Sequence, residues 1–465
     1  MSSAEGIEMQ PTGKDATKIN TAESKHGSDV YNQTRTRRVF SFSQLFAFSL
    51  TYMALWEGMC TNMYFALYNG GPQTFIFSFI IVFFGAISQA ASLGEMASIQ
   101  PVAGAQYHWT YHLAPARVKR FATWVQGWST WFGYVSLLAG IANVTIILLE
   151  SMIQLNHENY VPGGWHTSVL VIAMCVMQGL MNTYCFKVIP WVELVAGVLH
   201  VCFDSAIHMS EETRKAKSAV PRAMFWSIFM NGCLGFIMVC VILVSMGSVD
   251  DALNASSPIL AILLAITGSK GATTAMITGL FVVSFSVNLA NIASVSRLTW
   301  AWSRDGGMPA YLAYVNPRHR VPIRAIIVTV FIVCALCLLN IGSSSYVAFG
   351  AITSLSSMAL YISYAIAISS MLYARMSKAG GVELGEWNLG PFGLYINVFA
   401  LIYTLYVIVF LPFPSTIPVT VENMNYCGPV MVFVLLLAVA LWFFRGRKAW
   451  TGPNLTILDL VIGNS

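Results

Sequence analysis

The chain has 465 residues, 56% of them hydrophobic and only 10% charged, with a net charge of +5. Its many runs of about 20 apolar residues have the length of membrane-crossing helices, whereas a barrel would show short alternating segments, so a barrel is excluded. The positive charges sit in short loops rather than in one patch, which argues against nucleic-acid binding and for a role in orientation.

Residues 1–40 are polar, rich in Ser, Thr, Asp and Lys, and end in Arg35, Arg37 and Arg38. They read as a disordered cytosolic tail, followed by a membrane domain over 41–445 and a cytosolic tail over 446–465. No cleavable signal peptide is expected ahead of the first span. Ten full-length apolar blocks follow, at 42–67, 73–94, 121–149, 167–186, 223–247, 274–296, 325–341, 346–373, 391–413 and 428–444. The fold class is therefore an all-α polytopic membrane protein. Between residues 249 and 273 an outer loop carries its own apolar piece, Ile259 to Ile266, expected as a short surface helix. Asn254-Ala-Ser in that loop is a glycosylation sequon.

With the N-terminus inside and strict alternation, 24 of the 25 Lys and Arg fall on the cytosolic side, and only Lys270 falls outside. This holds only if the segment 188–212 makes no net crossing. A single crossing there would put Arg297, Arg304, Arg318, Arg320 and Arg324 outside. Yet its 25 residues are too few for two spans and a turn, which need well over about 40.

Polar residues at membrane depth mark candidate sites. Trp56-Glu57-Gly58 puts a carboxylate beside a glycine within the first block. An intramembrane acid is costly unless it faces a cavity or a partner, so this tripeptide reads as a broken helix lining a site, or as a Glu paired inside the bundle. Asp204 is either a second site residue or the N-cap of a short helix. Ser284, Asn288 and Asn291 fall at i, i+4 and i+7 on one face, which suits a water-filled path and inter-helix hydrogen bonding alike. Glu193 reads as the partner of a cation near the inner interface. His108 and His112 stand one turn apart, a spacing that can hold a metal, but no second HxxxH exists and a structural role is expected. The nine Cys are scattered, and the Cys334-x-x-Cys337 pair reads as buried thiols on a membrane helix. HExxH, GxSxG and GxxxxGK[ST] are all missing, so no enzyme activity, metal or other cofactor is expected, and transport would be gradient-driven.

The stretch Glu95 to Trp109, EMASIQPVAGAQYHW, resembles the signature of amino acid permeases of the amino acid/polyamine/organocation superfamily. FDSAIHMSEE from Phe203, with Val220-Pro-Arg behind it, resembles the sixth-helix motif of the same superfamily. SRLTWAWSRDGGMP from Ser296 resembles its eighth-helix exit. Tyr68-Asn-Gly-Gly-Pro is similar to the fungal branch that holds GABA and choline permeases. The resemblance runs from about residue 40 to 450.

It implies twelve helices, with one to five and six to ten as inverted repeats. Helices one and six would be broken at mid-membrane with substrate between them. By position, Glu57, Gly58, Met59, Cys60 and Thr61 match the first break, and Phe203, Asp204 and Ser205 match the second. Asn288 is carried as a further substrate-binding candidate on the eighth helix. Free N–H groups at such breaks suit a substrate carboxylate. Family members have the end of helix five, an outer loop and the start of helix six between Val201 and Phe203, which this chain lacks. The function implied is proton-coupled uptake of an amino acid or related amine, GABA or choline among them, across the plasma membrane, with both termini cytosolic. The partners are that substrate, a proton and the lipid bilayer. The alternatives are a truncated inactive permease or a non-transporting nutrient sensor on the same fold.

Overall fold

The computed structural model describes residues 55–157, 159–186, 188–189, 216–254, 257–341, 345–377, 382–414, 418–419 and 424–454. Among these the ordered elements are helical, and nine helices are long and apolar enough to cross a membrane. They correspond to nine of the ten expected blocks; the remaining one, 42–67, is described only from Leu55.

The first element, α1 (Leu55–Ile99), is two helical arms joined at a kink. The helix runs unbroken through Glu57 and Gly58, so the interruption expected there is corrected. The non-helical backbone lies at Gly70 and Gly71, where Gly71 has φ 71° and ψ −162°. A side chain is strained at that φ, so Gly-Gly-Pro makes the turn expected between the blocks 42–67 and 73–94. The Thr74 hydroxyl donates to the Gly70 carbonyl across the kink at 3.1 Å.

A short helix, α2 (Gln106–Leu113), leads into the long α3 (Lys119–Asn156) and α4 (Gly164–Tyr184). After residues outside the described set come α5 (Ala216–Ser245), α6 (Val249–Asn254) and α7 (Pro258–Thr267). Then follow α8 (Lys270–Arg304), α9 (Ile323–Cys337), α10 (Ser345–Ser377), α11 (Gly393–Phe410) and α12 (Cys427–Leu441). The second arm of α1 packs along α5, and α3 packs against both α8 and α10. In the twelve-helix numbering these are helix two on seven and three on eight. These two pairs lie five places apart, as counterparts in two packed repeats would, while α3 also packs on α10.

Among the described residues, two large apolar cores account for most of the buried apolar side chains. The outer core joins Met63, Phe75, Phe79, Leu148 and Ile242 to α7, whose Ile259 and Ile262 are buried. The expected surface helix therefore exists but buries its apolar side rather than lying exposed. The second core runs through α3, α8 and α10 towards the opposite end.

The basic loops share that opposite end. His108 meets Asp305, Glu95 meets Arg375, and the Tyr184 ring meets His319. Phe225 and Pro221 of α5 lie beside Trp387 and Gly94 there. The end of α4 and the start of α5 therefore lie at one end of the bundle. The segment 190–215 itself, with Glu193, lies outside the described residues, as do residues 1–54 and 455–465.

Candidate functional site

The expected site draws on the first arm of α1, on residues 203–205 and on α8. Phe203, Asp204 and Ser205 lie outside the described residues. Glu57, Cys60 and Thr61 are on the α1 helix, but their side chains are not among those described. Met59 packs against the outer core. A Cβ added at Gly58 meets no atom within 4 Å, so open space borders the helix at this position.

Asn288 is fully buried in α8 and belongs to a polar seam between α4 and α8. Its Nδ2 donates to Gln178 Oε1 at 2.6 Å and approaches Cys175 Sγ at 3.9 Å. Gln178 Nε2 in turn donates to the Phe285 carbonyl at 2.9 Å, and Asn182 Nδ2 to the Leu289 carbonyl at 3.1 Å. Such bonds hold helices together in hydrocarbon, where neither partner finds water. The Oδ1 atoms of Asn288 and Asn291 are buried without a partner among the described residues. The seam is therefore satisfied as a donor and has acceptors to spare among the described residues.

Further along the same bundle, Asn340 Nδ2 donates to Asn143 Oδ1 at 2.6 Å, and Asn143 Nδ2 reaches Cys337 Sγ at 3.5 Å. Cys337 of the CxxC is thus a buried contact between α3 and α9. Near the outer end of α3, Glu150 accepts from the Thr167 hydroxyl of α4 at 3.0 Å through both oxygens.

At the end that carries the basic loops, two ion pairs among the described residues each join the first half of the chain to the second. Glu95, at the foot of α1, meets Arg375 of α10 at 2.5 Å, and its other oxygen accepts from the Leu389 N–H at 3.0 Å. Asp305, just past α8, accepts from His108 Nε2 at 2.7 Å and from the Tyr107 hydroxyl at 2.8 Å. Arg304 Nε stands 3.5 Å from its other oxygen. Burial disfavours the Asp305 carboxylate, but the charges of His108 and Arg304 and the hydrogen bonds from His108 and Tyr107 outweigh it, leaving its pKa at about 2.

The segment 446–454 then covers this closure. Trp450 Nε1 donates to the Asp305 carbonyl at 2.8 Å, and the Tyr111 hydroxyl donates to the Thr451 carbonyl at 3.1 Å. Trp124, Trp302, Trp442 and Trp450 stack into one cluster, the Trp124 and Trp450 centroids lying 5.4 Å apart. Gly127 permits the close approach of α3 and α8, since a Cβ there would stand 2.5 Å from the Trp302 ring. Part of the expected C-terminal tail is therefore packed against the bundle.

Sequence reasoning quoted Glu95, His108 and Asp305 within motifs but gave them no pairing role. It passed over Gln178, Asn182, Glu150 and Arg375. The available signal was polarity inside apolar blocks, which names the residue and not its partner.

The family model described as amino acid permease matches residues 40–203 and 201–437. The chain belongs to the amino acid permease family. The match to this permease comes in two segments that meet at residues 201–203. Among curated relatives, the "Choline transporter" of Saccharomyces cerevisiae is 25% identical over 487 residues, covering 92% of this chain and 85% of its own. "Amino-acid permease 2" of Neurospora crassa is 26% identical over 477 residues, covering 90% and 86%. "Amino-acid permease BAT1" of Arabidopsis thaliana is 24% identical, covering 92% and 95%. The first two alignments are longer than the chain's 465 residues, so both relatives carry segments with no counterpart here. The permease is a multi-pass membrane protein of a transporter family, in keeping with its apolar helices.

Proposed function

We propose that this permease is a secondary active transporter that couples uptake of a small amino acid or related amine, GABA and choline included, to a proton gradient. Substrate sits between the first arm of α1 and residues 203–205, with Asn288 contributing from α8. The single observation that carries the reading is the inner closure. His108–Asp305 and Glu95–Arg375 both bridge the two halves of the chain at this one end, so parting these two contacts opens it while the α4–α8 and α3–α9 contacts persist. Membership of the family and relatives named for choline and amino acids support the substrate class. The basic loops support a reading with the closed end and both termini in the cytosol, with the plasma membrane as the membrane of residence.

A second reading, an inactive shortened permease, is favoured by the split family match at 201–203. The test is uptake of labelled amino acids, GABA and choline into transporter-deficient cells at several external pH values. It is run with the 465-residue chain and with a family segment restored between Val201 and Phe203. The expected result is weak uptake by the first and saturable, acid-stimulated uptake by the second. No uptake of any of these compounds by either would overturn the transporter reading, and robust uptake by the first would dispose of the inactive one.

A further inference from the structure

The foot of α12 holds a feature that the transport reading does not use. The apolar helix ends in a wide turn, Trp442–Gly446. Phe443 and Phe444 are 58% and 85% exposed there, and exposed Arg445, Arg447 and Lys448 follow at once. A change from exposed Phe to exposed Arg within one turn marks the level where hydrocarbon gives way to lipid headgroups. At that level a cavity of about 500 Å³ opens between the ends of α3 and α8 and the segment 445–454. This volume lies in the range of small-molecule sites.

Its wall is cationic and polar. Arg304 and Arg445 line it, with Trp124, Trp450, Thr451 and Asn454. The Arg304 side chain is only 7% exposed and lies over the Trp300 ring at 4.6 Å, so its guanidinium is held in place rather than swinging free. Arg445 is exposed at the rim and free to close over an occupant. Asp305 is the one carboxylate among the lining residues, and its charge is already met by His108 and Arg304. Gly306 and Gly452 line the cavity without side chains, so an occupant can approach the backbone. Arg120 donates to the Trp450 carbonyl beside it, and residues 445–454 contain no acidic side chain.

We propose that this cavity binds a phosphate group, carried either by an anionic phospholipid headgroup of the adjacent leaflet or by free phosphate. Guanidinium groups match phosphate oxygens in paired hydrogen bonds, and basic pockets at the ends of membrane helices suit headgroups. An occupant would bridge Arg304 at the end of α8 to Arg445 at the foot of α12, fixing the C-terminal segment over the inner closure.

The test uses the purified full chain in neutral detergent. The thermal unfolding midpoint is followed on titration with phosphatidylserine, phosphatidylinositol, phosphatidylcholine and inorganic phosphate. Two variants of equal charge change are compared: Arg445→Gln in the wall, and Arg447→Gln, which does not line the cavity. Anionic lipid should raise the midpoint where phosphatidylcholine does not. Arg445→Gln should weaken the apparent affinity about fivefold, the effect of losing one basic group near a headgroup, while Arg447→Gln leaves it unchanged. A shift with lipid that inorganic phosphate does not reproduce assigns the site to headgroups. A shift with inorganic phosphate alone assigns it to the free ion. Equal weakening in both variants would mean diffuse surface charge and overturn the proposal, as would the absence of any shift.

Discussion

His108 Nε2 lies 2.7 Å from Asp305 Oδ2, joining residues 197 apart in sequence where α2 meets the end of α8. Both side chains are almost wholly buried, at 2% and 0% exposure, and the Tyr107 hydroxyl completes the contact. A buried pair of this kind contributes less by its own attraction than by the penalty for leaving one charge alone.

Asp305→Asn should therefore lower the unfolding free energy by about 3 kcal/mol, measured by denaturation in detergent. The sign of its pH dependence follows from the folded pKa of about 2. An unfolded aspartate titrates near about 3.9. Because the folded value is the lower, the contribution is complete above about pH 4 and is lost as pH falls through about 2. The wild-type midpoint should fall more steeply than that of Asp305→Asn across this window. Parallel curves would show that the pair does not stabilise the fold.

Glu95 and Arg375 should behave as one unit. Glu95→Gln and Arg375→Gln each leave the other charge in a largely buried place, with side-chain exposures of 0% and 15%. A double-mutant cycle should return a coupling of about 2 kcal/mol. The double variant should also raise labelling of a Cys introduced at Ser98 by a cytosolic reagent, because the inner end loses one of its two ion pairs. Additive effects and unchanged labelling would remove this pair from the closure.

The two amides of the α4–α8 seam should separate by assay. Asn288→Ala removes the acceptor that has no partner among the described residues, and it should raise KM about tenfold, the worth of one hydrogen bond to a charged group. Gln178→Ala should act chiefly on stability, by about 0.6 kcal/mol, while KM changes little. Equal effects on KM would make Asn288 a packing residue only.

At Gly58 there is room for a side chain, since nothing lies within 4 Å of an added Cβ. Gly58→Leu should therefore fold normally and block uptake by occupying the space that substrate needs. Glu57→Gln should keep expression and flatten the dependence of uptake on external pH, as expected of a proton-carrying acid beside the site. Both are best measured with the segment at Val201–Phe203 restored. Normal uptake and pH dependence in both variants would take these residues out of the mechanism.

Much of this architecture is legible in one sequence because a bilayer imposes a length and a composition on each crossing. The blocks at 121–149 and 274–296 needed no more than that to be found. Loop charge fixed the side of Arg304 and Arg375 relative to Glu95 for the same reason. The partners were not legible. Gln178 and Asn182 interrupt an apolar run, but nothing in the run says that they face Phe285 and Leu289. Nor does the local sequence of Glu95 point to Arg375, 280 residues away. The turn between the first two blocks was legible in Gly70-Gly71-Pro72, where Gly71 adopts a backbone conformation that only glycine takes without strain, whereas Glu57 and Gly58, read as an interruption because a glycine breaks a helix cheaply, lie within continuous helix.

The indole cluster sets a timetable for biogenesis. Trp124 and Trp302 leave the ribosome well before Trp450, and the contact between Arg120 and the Trp450 carbonyl spans 330 residues. At about 5–20 residues per second that interval is roughly 20–70 s, and the 148 residues from Trp302 to Trp450 take roughly 7–30 s. Until Trp450 arrives, the end of α3 and, once it is made, the end of α8 present bare aromatic faces. A ribosome that stops short of codon 450 releases a chain whose indole cluster is uncapped. Quality control that recognises exposed aromatic side chains could then tell finished chains from unfinished ones by this turn alone.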